Sequence, residues 1–226
     1  MKKLFFLTIF FLSLFSAKSA FASPTEFISI VDTGNGSGTD YTSLSTWETG
    51  VQTDLTTAQV FSGTMGGSQM ADTIGTVYLC RSGVYQDHYG TLVHERADGT
   101  QILIENIVGA AVEQSGDIWY TTNTCDSTNY FTLSGDQSGG DSAIAVAKCR
   151  ATTGSTDTTA VTVNGWTTSA ANYIKIWTDP SENYRHQGKR DEGKYNLTIA
   201  SGVALTISEE NVYILGMQIT SANNSA

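Results

Sequence analysis

Hydrophobic positions along most of this chain come in short runs. Thr76-Val77-Tyr78-Leu79-Cys80, Gln101-Ile102-Leu103-Ile104, Ala143-Ile144-Ala145-Val146-Ala147 and Ala160-Val161-Thr162-Val163 are rich in small, β-branched and aromatic residues, with clusters of Gly, Asn, Asp, Ser and Thr between them. Runs of this kind are strand signals. Helical spacing stands out once. Leu44, Trp47 and Val51 fall on one helical face, which predicts a short amphipathic helix from Ser43 to about Gln52 with Thr42 as its N-cap. In the C-terminal third, Tyr173-Ile174-Lys175-Ile176-Trp177, Tyr195-Asn196-Leu197-Thr198-Ile199 and Gly216-Met217-Gln218-Ile219 alternate with the period of a strand. The pair Ile174/Ile176 recurs as Leu197/Ile199 and as Met217/Ile219, about every 20 residues, with Leu205/Ile207 and Val212/Ile214 between. The alternation predicts an all-β fold. The repeat predicts a parallel β-helix, in which each coil stacks its apolar positions on the coil before; a β-sandwich is the alternative. In such a stack Ile199 and Ile207 both point inward, and Asp at either is expected to collapse it.

The N-terminus carries a different message. Lys2 and Lys3 precede a nearly unbroken apolar stretch from Leu4 to Phe15, and Ala20-Phe21-Ala22 precedes Ser23-Pro24. This is the layout of a secretion signal cleaved near Ala22, and it predicts a secreted or cell-surface protein with no transmembrane span after cleavage. Export permits disulfides. Cys80, Cys125 and Cys149 allow one pair and leave one thiol over, with the choice of partners open. No Cys-x-x-Cys or zinc-like Cys/His spacing occurs. The net charge of −10 and the absence of a dense basic stripe argue against nucleic acid as a partner.

The opening of the mature chain narrows the fold. Ile28-Ser29-Ile30-Val31-Asp32-Thr33-Gly34-Asn35-Gly36-Ser37-Gly38-Thr39-Asp40-Tyr41-Thr42-Ser43-Leu44 runs from a strand through a Gly-rich turn into the predicted helix. It resembles the opening of pectin-lyase-like right-handed parallel β-helix proteins. Ala147 to Arg150, Asp157 to Thr168, Asn172 to Ile176, Arg185 to Lys189 and Ala204 to Ile219 are similar to the first coils of a group of exported bacterial β-helix-repeat proteins. After the leader over 1–22, the resemblance implies a cap strand and helix over 23–56 and β-helix coils over 143–226. It leaves 57–142 as an insertion or early coils. It also implies the N-terminal part of a longer solenoid, since Met217 and Ile219 have no following coil to cover them.

Chemistry is less legible. Asp32, Asn35 and Asp40 in the Gly-rich loop leave calcium as the one cofactor open, as does Ser134-Gly135-Asp136-Gln137-Ser138-Gly139-Gly140-Asp141; local turn hydrogen bonds explain the first set equally well. Asp87, His88, His94 and Glu95 form the densest titratable cluster and would suit acid–base work on a glycan. Asp98-Gly99 reads as the turn that follows them. Arg185, His186, Lys189, Arg190, Asp191 and Glu192 make a mixed-charge loop; the resemblance implies that a basic side chain in such a loop could serve a lyase. Trp119-Tyr120, Trp166, Trp177, Tyr184 and Tyr195 offer faces for sugar stacking. No nucleophile elbow, phosphate loop or dinucleotide fingerprint is present. The expected function is a non-catalytic exported β-helix surface or secreted protein that contacts polysaccharide or cell-surface glycan. The alternative is the N-terminal part of a polysaccharide lyase or glycoside hydrolase. Oligomeric state is not set by the sequence.

Overall fold

The computed structural model describes residues 23–70, 75–135, 141–154 and 156–221. The stretch 1–22 read as a leader therefore lies outside the described residues, as do residues 136–140 of the Gly-rich segment 134–141.

Six strands follow the helix α1 (Leu44–Val51): β2 (Gln59–Gly66), β3 (Gly75–Arg81), β4 (Val84–Glu95), β5 (Gln101–Val108), β6 (Ile118–Tyr120) and β7 (Tyr130–Leu133). They pair antiparallel in the order β2-β5-β4-β3-β6-β7, and β7 returns to β2. The sheet closes because β2 changes partner midway. Gln59–Ser62 face β5, and Gly63–Gly66 face β7. Closure leaves no free edge.

The chain is thus not a right-handed parallel β-helix, and no solenoid forms among the described residues. The closed antiparallel barrel overturns both that fold and the family resemblance built on it. Local turns explain the difference. Ser82 and Gly83 both take positive φ, 51° and 75°, between the paired residues Arg81 and Val84. A two-residue loop of this kind matches the twist of an antiparallel hairpin. Asp98-Gly99 turns β4 into β5, with Asp98 accepting the Thr100 N–H at 3.1 Å. Hairpins in succession make neighbours in sequence neighbours in space.

Parallel pairing does occur beside the barrel. β1 (Thr25–Asp32), β8 (Asp141–Arg150), β10 (Ile174–Trp177) and β13 (Val212–Leu215) form a ladder in that order. Two further parallel pairs join β9 (Val161–Val163) to β12 (Leu205–Ile207), and β11 (Asn196–Ile199) to β14 (Gln218–Ser221). β8 meets the barrel through an antiparallel contact with β2.

Two hydrophobic cores result. One fills the barrel with Phe61, Val77, Leu79, Leu92, Ile102, Ile104, Trp119, Phe131 and Leu133. The other lies between the barrel, α1 and the parallel strands, around Phe27, Val31, Leu44, Trp47, Val51, Ile174, Ile176 and Leu197. Val60, Val93 and Leu103 join this second core from the outer face of β2, β4 and β5. The unbroken run Ile102-Leu103-Ile104 is therefore buried on both faces of its strand.

The helix forms where its apolar spacing placed it, but its N-cap is Ser43 rather than Thr42, and the Ser43 side chain accepts the Thr46 N–H. Asp157 ties the helix start to the parallel layer by accepting the Leu44 N–H at 2.8 Å and the Tyr195 hydroxyl at 2.9 Å. Glu48, buried, accepts the Trp166 Nε1–H and the Asn164 N–H, both at 3.1 Å.

The two isoleucines expected to point inward differ. Ile199 is 8% exposed, whereas Ile207 is 39% exposed. Ile199→Asp is expected to lower stability by more than about 4 kcal/mol, because a charge would enter the core unpaired. Ile207→Asp is expected to stay within about 1 kcal/mol of the parent. Thermal unfolding of the two variants checks the contrast, and equal losses would contradict it.

Candidate functional site

The titratable cluster predicted from sequence is dispersed by the pleat and bulges of β4. Asp87 sits at φ 54° on a register shift between Tyr85 and Tyr89 and is exposed. His88 turns inward, with its Nε2 2.9 Å from Glu113 Oε1 and its ring 5.6 Å from Trp119. A pocket of about 280 Å³ opens nearby, lined by Gln59, His88, Ile107 and Glu113 among others. Gly109 packs over the His88 Nδ1. His94 points instead to the second core, where its Nδ1 lies 3.0 Å from the Tyr41 hydroxyl and Phe27 meets its ring edge-on. Glu95 is buried and accepts the Met70 N–H at 2.7 Å. Burial pushes its carboxyl pKa up, and the Met70 N–H only partly offsets that.

The remaining predicted residues serve the fold or the surface. Asp32 accepts N–H groups from Gly34, Gly36 and Thr152; burial works to raise its pKa, but these donors together outweigh it and hold the carboxyl below its ordinary value. Asp40 accepts the Ile30 and Ala97 N–H groups. Asn35 sits in the same turn at φ 51°. Among the described residues no three His, Cys, Asp or Glu gather as a metal-binding set. Arg185 and His186 are half-buried on a connector, where His186 Nδ1 accepts the Gly188 N–H. Lys189, Arg190, Asp191 and Glu192 continue this loop in solvent, and Arg190 bonds Thr220. Of the aromatic residues, Trp119, Trp166 and Tyr195 are buried. Trp177 is half-buried on the outer face of the parallel ladder under Lys175, whose Nζ stands 4.2 Å from the ring centre. Tyr184 packs against the second core.

Tyr120 is the exception, and it leads to a site that sequence reasoning missed. Tyr78 is the register partner of Tyr89 on β4 and of Tyr120 on β6, and Tyr120 is the partner of Tyr130 on β7. Side chains directly opposite on paired strands share a face. Tyr89, Tyr78, Tyr120 and Tyr130 therefore make one row across four strands on the outside of the barrel. The inward neighbours Val77, Leu79, Trp119 and Phe131 are buried, so the alternation of each strand fixes the tyrosines outward. Ring centres lie 6.3 Å apart for Tyr78–Tyr89 and 5.4 Å for Tyr120–Tyr130, and Tyr85 adds an edge-on contact to Tyr78 at 5.7 Å. Gly66 is the register partner of Tyr130, and a Cβ there would run into its ring. Threonines border the row: Thr76 opposite Thr91 on one side, and Thr132 opposite Thr64 on the other. A pocket of about 380 Å³ shares Thr76 and Tyr78 with this wall.

The row is held by its own crosslinks. A disulfide joins Cys80, two residues beyond Tyr78, to Cys125 in the loop between Tyr120 and Tyr130. Cys149 is the buried free thiol, and burial pushes its pKa up. Arg81 binds Asp117 through Nε and Nη2 at 2.8 and 2.7 Å, which pins the loop that leads into β6. Burial, then the Asp87 carboxylate and the neighbouring phenols, raise the Tyr85 pKa, so it remains a neutral hydroxyl at physiological pH. The arrangement presents ring faces and hydroxyls. The signal available in the sequence was a tyrosine at the outward parity of each strand; only pairing places the four in one row.

Comparison with known proteins finds no matching family model, no matching curated protein and no matching solved structure.

Two outcomes follow from this geometry. Glu95→Gln is expected to raise stability by about 1 kcal/mol at pH 7. A carboxyl whose folded pKa is raised costs stability once it ionises, so the gain should fade as pH falls through the raised folded pKa and be gone below the unfolded value near 4.5. Denaturant unfolding across pH 4 to 8 reads this. Reducing the disulfide, or a paired Cys80→Ser/Cys125→Ser change, is expected to cost about 2–4 kcal/mol in the same assay.

Proposed function

We propose that this chain is an exported, non-catalytic β-rich protein that contacts glycans through the tyrosine row of its barrel. The observation that carries the reading is the direct cross-strand register of Tyr89, Tyr78, Tyr120 and Tyr130 on the outer face of the barrel, where Tyr89 is exposed and the other three are half-buried. Tyrosine combines a flat apolar face with a polar edge, which suits a sugar ring whose faces are C–H and whose rim is hydroxyl. The threonine border supplies further hydroxyl groups. The leader pattern and the Cys80–Cys125 disulfide support an oxidising destination. The buried acids Asp32, Glu48, Asp117 and Asp157 each accept donors that fix a turn, a helix or a loop, which supports structural roles for them.

Affinity electrophoresis in gels containing xylan, glucomannan, mixed-linkage glucan, pectate or alginate tests the reading. Retardation by at least one polymer is expected, and Tyr78→Ala/Tyr120→Ala should abolish it without a loss of thermal stability beyond about 1 kcal/mol. Migration unaffected by every polymer would overturn the reading. Release of reducing ends or unsaturated sugars would replace it with the degradative alternative.

A further inference from the structure

We infer that the tyrosine row selects neutral polysaccharide and rejects polyuronates, with Tyr78 and Tyr120 as the central contacts. This rests on the glycan-contacting reading above and adds the chemical class of the ligand.

The charge distribution carries the inference. From Gly75 to Gly135 the sequence contains no Lys and only two Arg, Arg81 and Arg96. Both are committed: Arg81 to Asp117, and Arg96 to Asp98 at 2.7 Å. Acidic groups meanwhile flank the row. Asp87 lies exposed between Tyr85 and Tyr89, and Asp126 lies in the loop between Tyr120 and Tyr130. Hydrogen bonds from the Thr124 and Thr122 hydroxyls hold the Asp126 carboxyl below its ordinary pKa, so it is ionised at neutral pH. A uronate chain brought to this wall would meet like charge and, among the described residues 75–135, no unpaired Lys or Arg, on a protein of net charge −10. Cations on the parallel ladder do not relieve this, since Lys148 pairs with Asp179 and Glu182, Arg150 with Glu182, and Lys175 with Glu26. Neutral sugars pay no such penalty.

Composition and curvature set the contact. Every member of the row is tyrosine and its border is threonine, a surface of rings and hydroxyls that suits the C–H faces and hydroxyl rims of sugars. Four of the six barrel strands carry the row, and a closed barrel wall is convex. On such a wall the outer positions, Tyr89 and Tyr130, fall back from the central pair. A neutral chain crossing the strands should rest on Tyr78 and Tyr120 and gain less from the outer two.

Isothermal titration of the whole chain with cellohexaose, xylohexaose and mannohexaose, against hexagalacturonate and hexaguluronate, tests this. Binding of at least one neutral hexasaccharide and none of the uronates is expected. Tyr78→Ala and Tyr120→Ala should each weaken it about fivefold or more, Tyr89→Ala and Tyr130→Ala about twofold, and Tyr78→Phe less than about twofold. A readout independent of variant folding is nitration of the unmodified chain, with Tyr78 and Tyr120 protected by the bound neutral sugar. Uronate binding equal to neutral binding, with the tyrosine variants still weakened, would overturn the charge selection and leave the glycan reading standing. Binding of neither class would remove both. Neutral binding without protection of Tyr78 and Tyr120 would overturn their central place.

Discussion

Three strands of the barrel are buried on both faces, and the rest of the structure depends on that. Val60, Val93 and Leu103 face the core beneath α1, while Phe61, Leu92, Ile102 and Ile104 face the barrel interior. Each fully buried aliphatic or aromatic side chain contributes roughly 1.5–3 kcal/mol. β2, β4 and β5 therefore weld the barrel to the parallel layer, and neither core is complete without them. The arrangement also divides the barrel wall. Among the described residues no second sheet or helix covers β3, β6, β7 and the first half of β4, so most of their outward positions are half-buried or exposed. That uncovered wall carries the tyrosines.

Polar groups inside the molecule are spent on connections. Asp157 reaches from the parallel layer to the first turn of α1, Glu48 reaches back from α1 to Trp166, and Asp32 gathers three backbone N–H groups in the Gly-rich turn. Each bond satisfies donors that burial would otherwise leave unmet, at a cost of about 1–3 kcal/mol apiece. Arg81, Arg96, Lys148, Arg150 and Lys175 are spent likewise, in pairs with Asp and Glu. The surface that remains available is a ring-and-hydroxyl wall with an acidic border. Its chemistry follows from what the fold consumed as much as from what it displays.

Much of the secondary structure was legible in the sequence. The runs around Val77–Leu79, Ile102–Ile104, Ala143–Ala147 and Val161–Val163 are strands, the Leu44/Trp47/Val51 spacing is the helix, and Asp98-Gly99 is a turn. The error lay in how strands associate. The recurrence of Ile174/Ile176, Leu197/Ile199 and Met217/Ile219 suggested one stacking rule for the whole chain, although parallel pairing governs only the strands beside the barrel. Titratable residues near in sequence were expected to act together. The bulges of β4 instead send Asp87 to solvent, His88 to the barrel interior and His94 to the other core.

Local chemistry, then, determined from sequence alone which residues form strands, where the chain turns and that the protein is acidic. Those properties depend on neighbours within a few positions, through alternation, capping and composition. Tertiary structure decided which strands pair, that six of them close, which cysteines join, and that four tyrosines from four strands stand in register. Register is set by long-range closure and by burial on two faces at once. A sequence carries that information only in the sum of its packing, so the row became visible when the barrel was complete.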